Sequence, residues 1–328
     1  MVFDAHSDLL YDVTRRRLLG ERRVLEHHHL DRLRRGGVEG LVLAVWASGP
    51  RETFWKDTAW KDPASNLGRT HQIFACARAD LAECPQIRPV HTAAEAEAAR
   101  AAGQIYAFLA VEGMAAIGGN PAGVDWYYGQ GARLGMLTWN ETNALAAGAG
   151  GDPQAGLTEA GRRAVRRMGE LGMAVDVSHL NDGGFWDVVD LAAGPVIASH
   201  SNCRALCDVR RNLSDDQLRR IRDTGGVVGL NAFHGFVHAE PRQQTARTLA
   251  LHAVHMAEVM GVEHVGCGFD FCEFMGPGNE GAEGLESAAH IRNLFYWLEK
   301  LGMNRQELEM VARGNFLRVL AGPDLPPQ

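Results

Sequence analysis

The chain alternates between short apolar, β-prone runs that end in polar or small residues and longer stretches with helical period. Eight such runs stand out: "VFDAH" (2–6), "GLVLAVWA" (40–47), "IYAFLAVE" (105–112), "RLGMLTWN" (133–140), "GMAVDVSH" (172–179), "PVIASHS" (195–201), "GGVVGLN" (225–231) and "HVGCGFDF" (264–271). Between them lie helical stretches with recognisable ends. Residues 157–172 offer Thr158 as N-cap and Gly172 as stop; 213–226 carry Ser214 and Gln217 at capping-box spacing. Longer amphipathic stretches span 244–261 and 284–302, and 305–320 reads as a closing helix. Near-continuous apolar strands with helices between them predict a parallel sheet covered on both faces. Eight of them point to an α/β fold of the (β/α)8 barrel type, taken as one unit over residues 1–328. A doubly wound open sheet is the competing architecture. Residues 48–70 and 113–132, rich in Gly, Pro and Trp, read as long loops over one end.

The polar residues that end these runs change the picture. His6 ends the first run with Asp8 two residues on, Glu112 ends the third, His179 the fifth and His200 the sixth, and Asp270 lies near the end of the eighth. In a parallel barrel all these ends open on one face, where barrel enzymes place their active sites. Alternation lets His6 and Asp8 point the same way. By the same rule Glu112, His179 and His200 continue the series Phe108/Ala110, Val175/Val177 and Val196/Ala198, expected to line the barrel interior. A single histidine at a strand end is ordinarily a hydrogen-bonded structural residue. Three histidines with three carboxylates instead form a two-metal set, suited to zinc or a similar divalent ion.

Composition narrows the classes. Of 328 residues 46% are hydrophobic, and the formal charge is −7. No basic tract with interleaved aromatics points to nucleic acid, and no apolar run reaches the ~18 residues of a membrane span. The six cysteines, at 76, 84, 203, 207, 267 and 272, form no C-x-x-C pair, which fits a reduced cytoplasmic setting. "EHHHLDR" (26–32) reads as a solvated helix face, Cys203 and Cys207 as buried thiols, and the glycine-rich 146–153 as a loop without phosphate-loop residues. The serines of "VSH" and "ASHS" lack the elbow of a serine hydrolase.

These segments resemble the membrane dipeptidase (renal dipeptidase, peptidase M19) family of the amidohydrolase superfamily, along essentially the whole chain. "DAHSDLL" (4–10) is similar to the family's D-x-H-x-D-L opening, and "VEGM" (111–114) to its bridging-glutamate segment. "VDVSHL" (175–180) and "IASHSNCRALCDVRRNLSD" (197–215) resemble its two histidine segments, and "GNFLRVL" (314–320) its closing signature. The resemblance implies two zinc ions, one on His6 and Asp8, the other on His179 and His200, with Glu112 bridging. It further implies that Asp270 handles the proton of a shared water and that Arg211 receives the substrate carboxylate. The chain also departs from the family. Trp139 of "LTWNETN" stands where mammalian members carry a substrate-contacting histidine, leaving Asn140 or Asn143 as the nearest donor. Phe233 replaces a substrate-contacting tyrosine. "GFDFCE" (268–273) has Cys272 and Glu273 in place of an acid and a glycine.

The expected activity is hydrolysis of free dipeptides, L-Xaa-L-Xaa and also L-Xaa-D-Xaa, with no nucleic-acid or membrane partner; a homodimer is an open option. The alternatives are another amidohydrolase, acting on an N-acyl amino acid, lactam or cyclic amide, and a non-catalytic ligand-binding barrel.

Overall fold

The computed structural model describes residues 1–47 and 66–320. Its strands are β1 (Val2–Ser7), β2 (Val38–Trp46), β3 (Ile87–Pro89), β4 (Ile105–Glu112), β5 (Ala132–Met136), β6 (Ala174–Asp176), β7 (Val196–Ile197), β8 (Val228–Leu230) and β9 (Val265–Cys267). All pair in parallel, β1-β2-β4-β5-β6-β7 in one curled sheet and β8-β9 in another. A parallel bridge from Ala198 to Val228 joins the two. Between β9 and β1 the seam is closed differently: Phe269 N–H donates to Asp4 Oδ1 at 2.9 Å and Asp270 N–H to the His6 carbonyl at 3.4 Å. The eight expected runs therefore follow one another around a curled parallel sheet. The ninth strand, β3, was outside them; it pairs with Ile105–Ala107, the part of β4 that β5, starting opposite Leu109, leaves open.

Helix starts match their sequence signals. Thr158 Oγ1 accepts from Gly161 N–H, Gly172 ends that helix at φ 68°, and Ser214 with Gln217 forms the reciprocal capping box. Of the longer expected helices, 244–261 forms one continuous helix, Ala246–Met260, and the other two are broken. Residues 284–302 give a 3-10 turn at Ala288–His290 and a helix only at Arg292–Lys300. Residues 305–320 divide at a widened turn, Met310–Gly314, after which the Asn315 carboxamide donates to the carbonyls of Val262 and Val265. The expected loop 113–132 contains a helix, Ala122–Gly129, and 66–70 begin the helix Asn66–Glu83. Residues 48–65 of the other expected loop lie outside the described residues.

Two apolar layers flank the sheet. An inner layer holds Phe3, Ala5, Val42, Phe108, Ala110, Leu134 and Ile197. An outer one, against the helices, holds Leu41, Leu43, Val45, Leu109 and Val111. Phe108 and Ala110 face inward as expected, but Val175, Val177, Val196 and Ala198 belong to the outer layer. Alternation carries a side-chain direction only while the strand lasts, and β6 and β7 end three residues short of His179 and His200. "EHHHLDR" is a second correction. His29 is buried, its Nε2 2.9 Å from Asp12 Oδ2 and its Nδ1 accepting from Arg32, so only part of that turn is solvated.

Candidate metal centre

The six strand-end residues reach one buried cluster by several local devices. β1 carries an irregularity between Asp4 and Ser7, which pair with Leu41 and Leu43. The extra residue breaks the alternation, as a bulge does, between the inward Phe3 and Ala5 and His6. Asp8 stands at the N-terminus of the helix Leu9–Leu18, yet its carboxylate accepts no bond from that helix. An N-terminal aspartate ordinarily spends an oxygen on its own helix; here Oδ1 lies 3.7 Å from His6 Nε2 instead. Glu112 simply ends the regular strand β4. His179 and Asp270 have φ of 67° and 58°. Left-handed backbone is uncommon outside glycine and concentrates at functional sites.

Two further carboxylates, on neither of which a role was placed from sequence, hold these turns. Asp4 Oδ1 accepts from the N–H of His6 and of Phe269, and Asp176 Oδ1 from the N–H of Ser178 and of Ser199. Each ties the approach to a cluster histidine to the neighbouring chain segment. Their signal was an acid embedded in an apolar run, "VFDAH" and "AVDVSH". Gly229 and Gly268 add close contact from the other side, since a Cβ on either would collide with the Ser199 carbonyl beside His200.

The geometry converges on Glu112. Its Oε2 lies 3.4 Å from His6 Nε2, and its Oε1 lies 2.9 Å from His179 Nε2 and 4.0 Å from His200 Nε2. His200 Nε2 is 2.9 Å from His179 Nε2, and His6 Nε2 is 3.9 Å from Asp270 Oδ1. Two groups, His6/Glu112/His200 and His6/Asp8/Asp270, have ligand atoms close enough to share an ion. All six residues but Asp270 are buried, and Asp270 nearly so. His6 Nε2, Asp8 Oδ1 and Glu112 Oε2 have no hydrogen-bond partner. Buried polar atoms normally find one, so an unpaired donor set of this composition fits a divalent cation.

Protonation supports that fit. The Asn140 amide oxygen lies 2.8 Å from His179 Nδ1, which places the ring proton there and turns the Nε2 lone pair toward Glu112 Oε1. A lone pair facing a carboxylate oxygen at 2.9 Å requires a proton or a cation between them. Burial, with the charges of Arg211 and His6, holds His179 and His200 well below the usual histidine range, so both are neutral and able to ligate. Burial and the neighbouring Asp8 push Glu112 up to about 8, and burial also raises Asp270. Burial opposes a charge on His6, but the Glu112 and Asp8 carboxylates outweigh it and raise its pKa well above the ordinary value. These are the signs of crowded carboxylates lacking a positive partner, and a bound cation inverts them.

The remaining expected residues fall around this cluster. Arg211 is buried, donates through Nη2 to the His200 carbonyl at 3.2 Å, rests on the Phe236 ring and keeps an unpaired Nε. Burial pushes its pKa down to about 10. Trp139 lies with its ring centroid 6.0 Å from His179 and 5.2 Å from Trp46, in an apolar wall that includes Tyr11 and Met275. Asn140 orients His179, and Asn143 is consumed by its own loop, bonding Leu137, Leu145 and Ala146. Phe233 packs on His234 and Phe236, reaching the site at one remove. Two residues not assigned a role from sequence touch the acids: Asn231 Nδ2 donates to Asp270 Oδ2 at 3.0 Å, and Cys272 Sγ lies 3.6 Å from Asp8 Oδ2 and 3.7 Å from Asp270 Oδ1. Glu273 is spent on Arg32, 2.6 Å away.

Comparison with known proteins gives the family of the chain. The family model described as membrane dipeptidase (peptidase family M19) matches residues 1–323. An uncharacterized protein in the pqqA 5' region of Klebsiella pneumoniae is 35% identical over 219 residues, 64% of this chain and 79% of that one. An uncharacterized dipeptidase of Schizosaccharomyces pombe is also 35% identical over 219 residues, 66% of this chain; the match spans about half, 52%, of the yeast protein. A crystal structure of a metallo peptidase from Rhodobacter sphaeroides, liganded with a phosphinate mimic of the dipeptide L-Ala-D-Ala, superposes with TM-score 0.84 at 26% identity, covering 97% of this chain and 98% of that one. Among the described residues no helix is long and apolar enough to cross a membrane. The chain belongs to the membrane dipeptidase family of metallopeptidases, M19.

Proposed function

We propose that the chain is a binuclear zinc dipeptidase that hydrolyses the peptide bond of free dipeptides, L-Xaa-L-Xaa and L-Xaa-D-Xaa. His6 and Asp8 hold one ion, His179 and His200 the other, and Glu112 spans both. The observation that carries this reading is the opposed use of the Glu112 oxygens, Oε2 toward His6 at 3.4 Å and Oε1 toward His179 at 2.9 Å. A zinc pair supplies Lewis acidity, polarising the scissile carbonyl and acidifying the attacking water.

The chain's own residues do the rest. Asn231 fixes Asp270 Oδ2, leaving Oδ1 on the His6 side to take a proton from the attacking water and pass it to the departing amine. Arg211, buried and with an unpaired Nε, grips the substrate's terminal carboxylate, which selects short peptides with a free C-terminus. The L-Ala-D-Ala mimic on the Rhodobacter sphaeroides relative supports a D-residue at the second position. The six unpaired cysteines support a reducing, cytoplasmic setting, and the substrate is the only partner this reading requires.

A second reading is favoured by Trp139, whose indole stands beside His179 in place of the family's imidazole. It keeps the centre and changes the bond, to that of an N-acyl amino acid, lactam or cyclic amide. One experiment separates the two: L,L and L,D dipeptides and N-acyl amino acids are assayed after zinc reconstitution, with metal measured on the same sample. Turnover of free dipeptides at two zinc per chain, lost on chelation and restored by zinc, is the expected result. Turnover of blocked amines alone overturns the dipeptidase, and metal far below two per chain overturns the binuclear centre.

A further inference from the structure

An aromatic wall stands on one side of the Glu112 cluster. Trp46 ends β2, where it pairs in register with Glu112 of β4. Its ring centroid lies 6.0 Å from that of Tyr11, on the helix that follows Asp8, and 5.2 Å from that of Trp139, which follows β5. Trp139 in turn stands 6.0 Å from the His179 ring. Leu18 and Met275, the latter in the turn Glu273–Met275 after β9, complete a cluster that belongs to neither core layer. Tyr11, Trp139 and Met275 are partly exposed, although the histidines and Glu112 beside them are buried. Ligand sites are lined mainly by apolar and aromatic groups with a few placed polar ones, and this wall supplies the apolar part.

The order of strands says what the wall faces. Around the curled sheet it runs β1, β2, β4, β5, β6, β7, β8, β9 and back to β1. Counted either way round, β2 and β7 are as far apart as two strands of this ring can be. His200 follows β7, and Arg211 is fastened to the His200 carbonyl. The wall and Arg211 thus stand on opposite sides of the site, with the ligand cluster between them. A dipeptide whose carboxylate is on Arg211 and whose peptide bond is at the cluster extends its N-terminal residue toward the wall.

We propose that Tyr11, Trp46, Trp139 and Met275 receive the side chain of the substrate's N-terminal residue and select dipeptides that begin with a large apolar or aromatic residue. The inference rests on the dipeptidase reading and deepens it by naming the substrate class. A branched or aromatic side chain covers the rings and leaves water, a gain that scales with the apolar area removed. Glycine gains nothing there. An acidic side chain meets ring faces, whose quadrupole is negative.

The test uses the full chain reconstituted with zinc and two series of free dipeptides. In the first, glycine, alanine, leucine, phenylalanine, glutamate or lysine precedes a constant alanine; in the second, the same residues follow a constant alanine. From glycine to leucine or phenylalanine kcat/KM rises on the order of 10- to 100-fold in the first series, and far less in the second. Trp139→Ala lowers kcat/KM for the leucine and phenylalanine members of the first series about tenfold more than for the glycine member. Trp139→Leu, which keeps apolar surface, retains most of the gradient. A tryptophan that only packs would lower every substrate by one factor, and that result overturns the inference. A flat first series, a gradient confined to the second, or a preference for lysine also overturns it, and each leaves the dipeptidase standing. No turnover of any free dipeptide overturns both. Because the wild-type series alone can refute it, the proposal does not depend on the variants folding.

Discussion

At the scale of single residues, the site is governed by which atoms are left free. Arg211 has one nitrogen on the His200 carbonyl and its Nε unpaired, a buried guanidinium with capacity to spare. Truncation to alanine removes a charge-assisted contact of about 1.5–3 kcal/mol. Arg211→Ala therefore raises KM for free-acid dipeptides on the order of 10- to 100-fold and leaves their C-terminal amides nearly unaffected; equal losses on both substrates in steady-state assays would remove Arg211 from the carboxylate. Asn140 acts through His179 and is a positioning residue. Loss of such an outer contact typically weakens metal affinity about 10- to 100-fold. Asn140→Ala should do so in competition with a chelator, while Asn140→Asp, which keeps an acceptor at Nδ1, should not. The six acids and histidines of the cluster were legible because each interrupts or ends an apolar run, where an unpaired charge is costly. Asn140 was legible only as a neighbour of Trp139. Which way its carboxamide turns depends on a ring thirty-nine positions along the chain, and no local pattern carries that.

At the scale of elements, periodicity recorded where strands and helices lie, and neighbouring segments decided where they stop. The run "PVIASHS" forms a regular strand only at Val196–Ile197, with a single bridge from Ala198 to Val228 beyond it, because the N–H groups of Ser199 and His200 turn to the Asp176 carboxylate and to Ser178. The 305–320 pattern is continuous in sequence, but Asn315 is drawn onto the Val262 and Val265 carbonyls through a widened turn. The clearest example of one element anchoring another is the helix Asn66–Glu83. Its fully buried Asp80 accepts from Arg17 and from the N–H of Val24 and Leu25, and Glu83 accepts from Arg17 and from Arg23 N–H. Those contacts, Arg17 foremost, hold the Glu83 carboxyl down at about 2. A depressed folded pKa contributes stability above the unfolded value of 4.5, and that contribution disappears as pH falls toward 2. Glu83→Gln should therefore melt below wild type at pH 7, by a small amount because the side chain is one-third exposed. The gap should narrow steadily between about pH 4.5 and 2. A gap that is constant in thermal melts from pH 7 to pH 3 would mean that the Arg17 charge is not what Glu83 supplies.

At the scale of the whole molecule, a parallel sheet that curls round on itself must join its first strand to its last, and hydrophobic pattern says nothing about how. Strand existence was legible in all eight runs; the seams were not, because period-two patterning identifies strands without identifying their neighbours. Here the join between β9 and β1 has few ladder bonds. It depends on Asp4 Oδ1, which accepts from His6 N–H on its own strand and from Phe269 N–H across the gap. Burial pushes the Asp4 carboxyl up to about 7, and still the side chain sits in the core, where an acceptor is needed more than a charge. That distinction can be measured. Asp4→Asn keeps a carbonyl oxygen at the seam and should hold the fold near wild-type stability. Asp4→Ala leaves the Phe269 N–H buried and unsatisfied, which costs about 1–3 kcal/mol. The loss should be local first: hydrogen exchange at Phe269 and Asp270 should accelerate in Asp4→Ala before exchange in β2 and β4 changes. Since His6 and Asp270 lie on the two sides of this seam, the same variant should bind metal more weakly while Asp4→Asn does not. If instead both variants exchange and bind metal alike, the ladder bonds alone close the sheet, and the buried acid two residues before His6 has some purpose other than holding the ring of strands together.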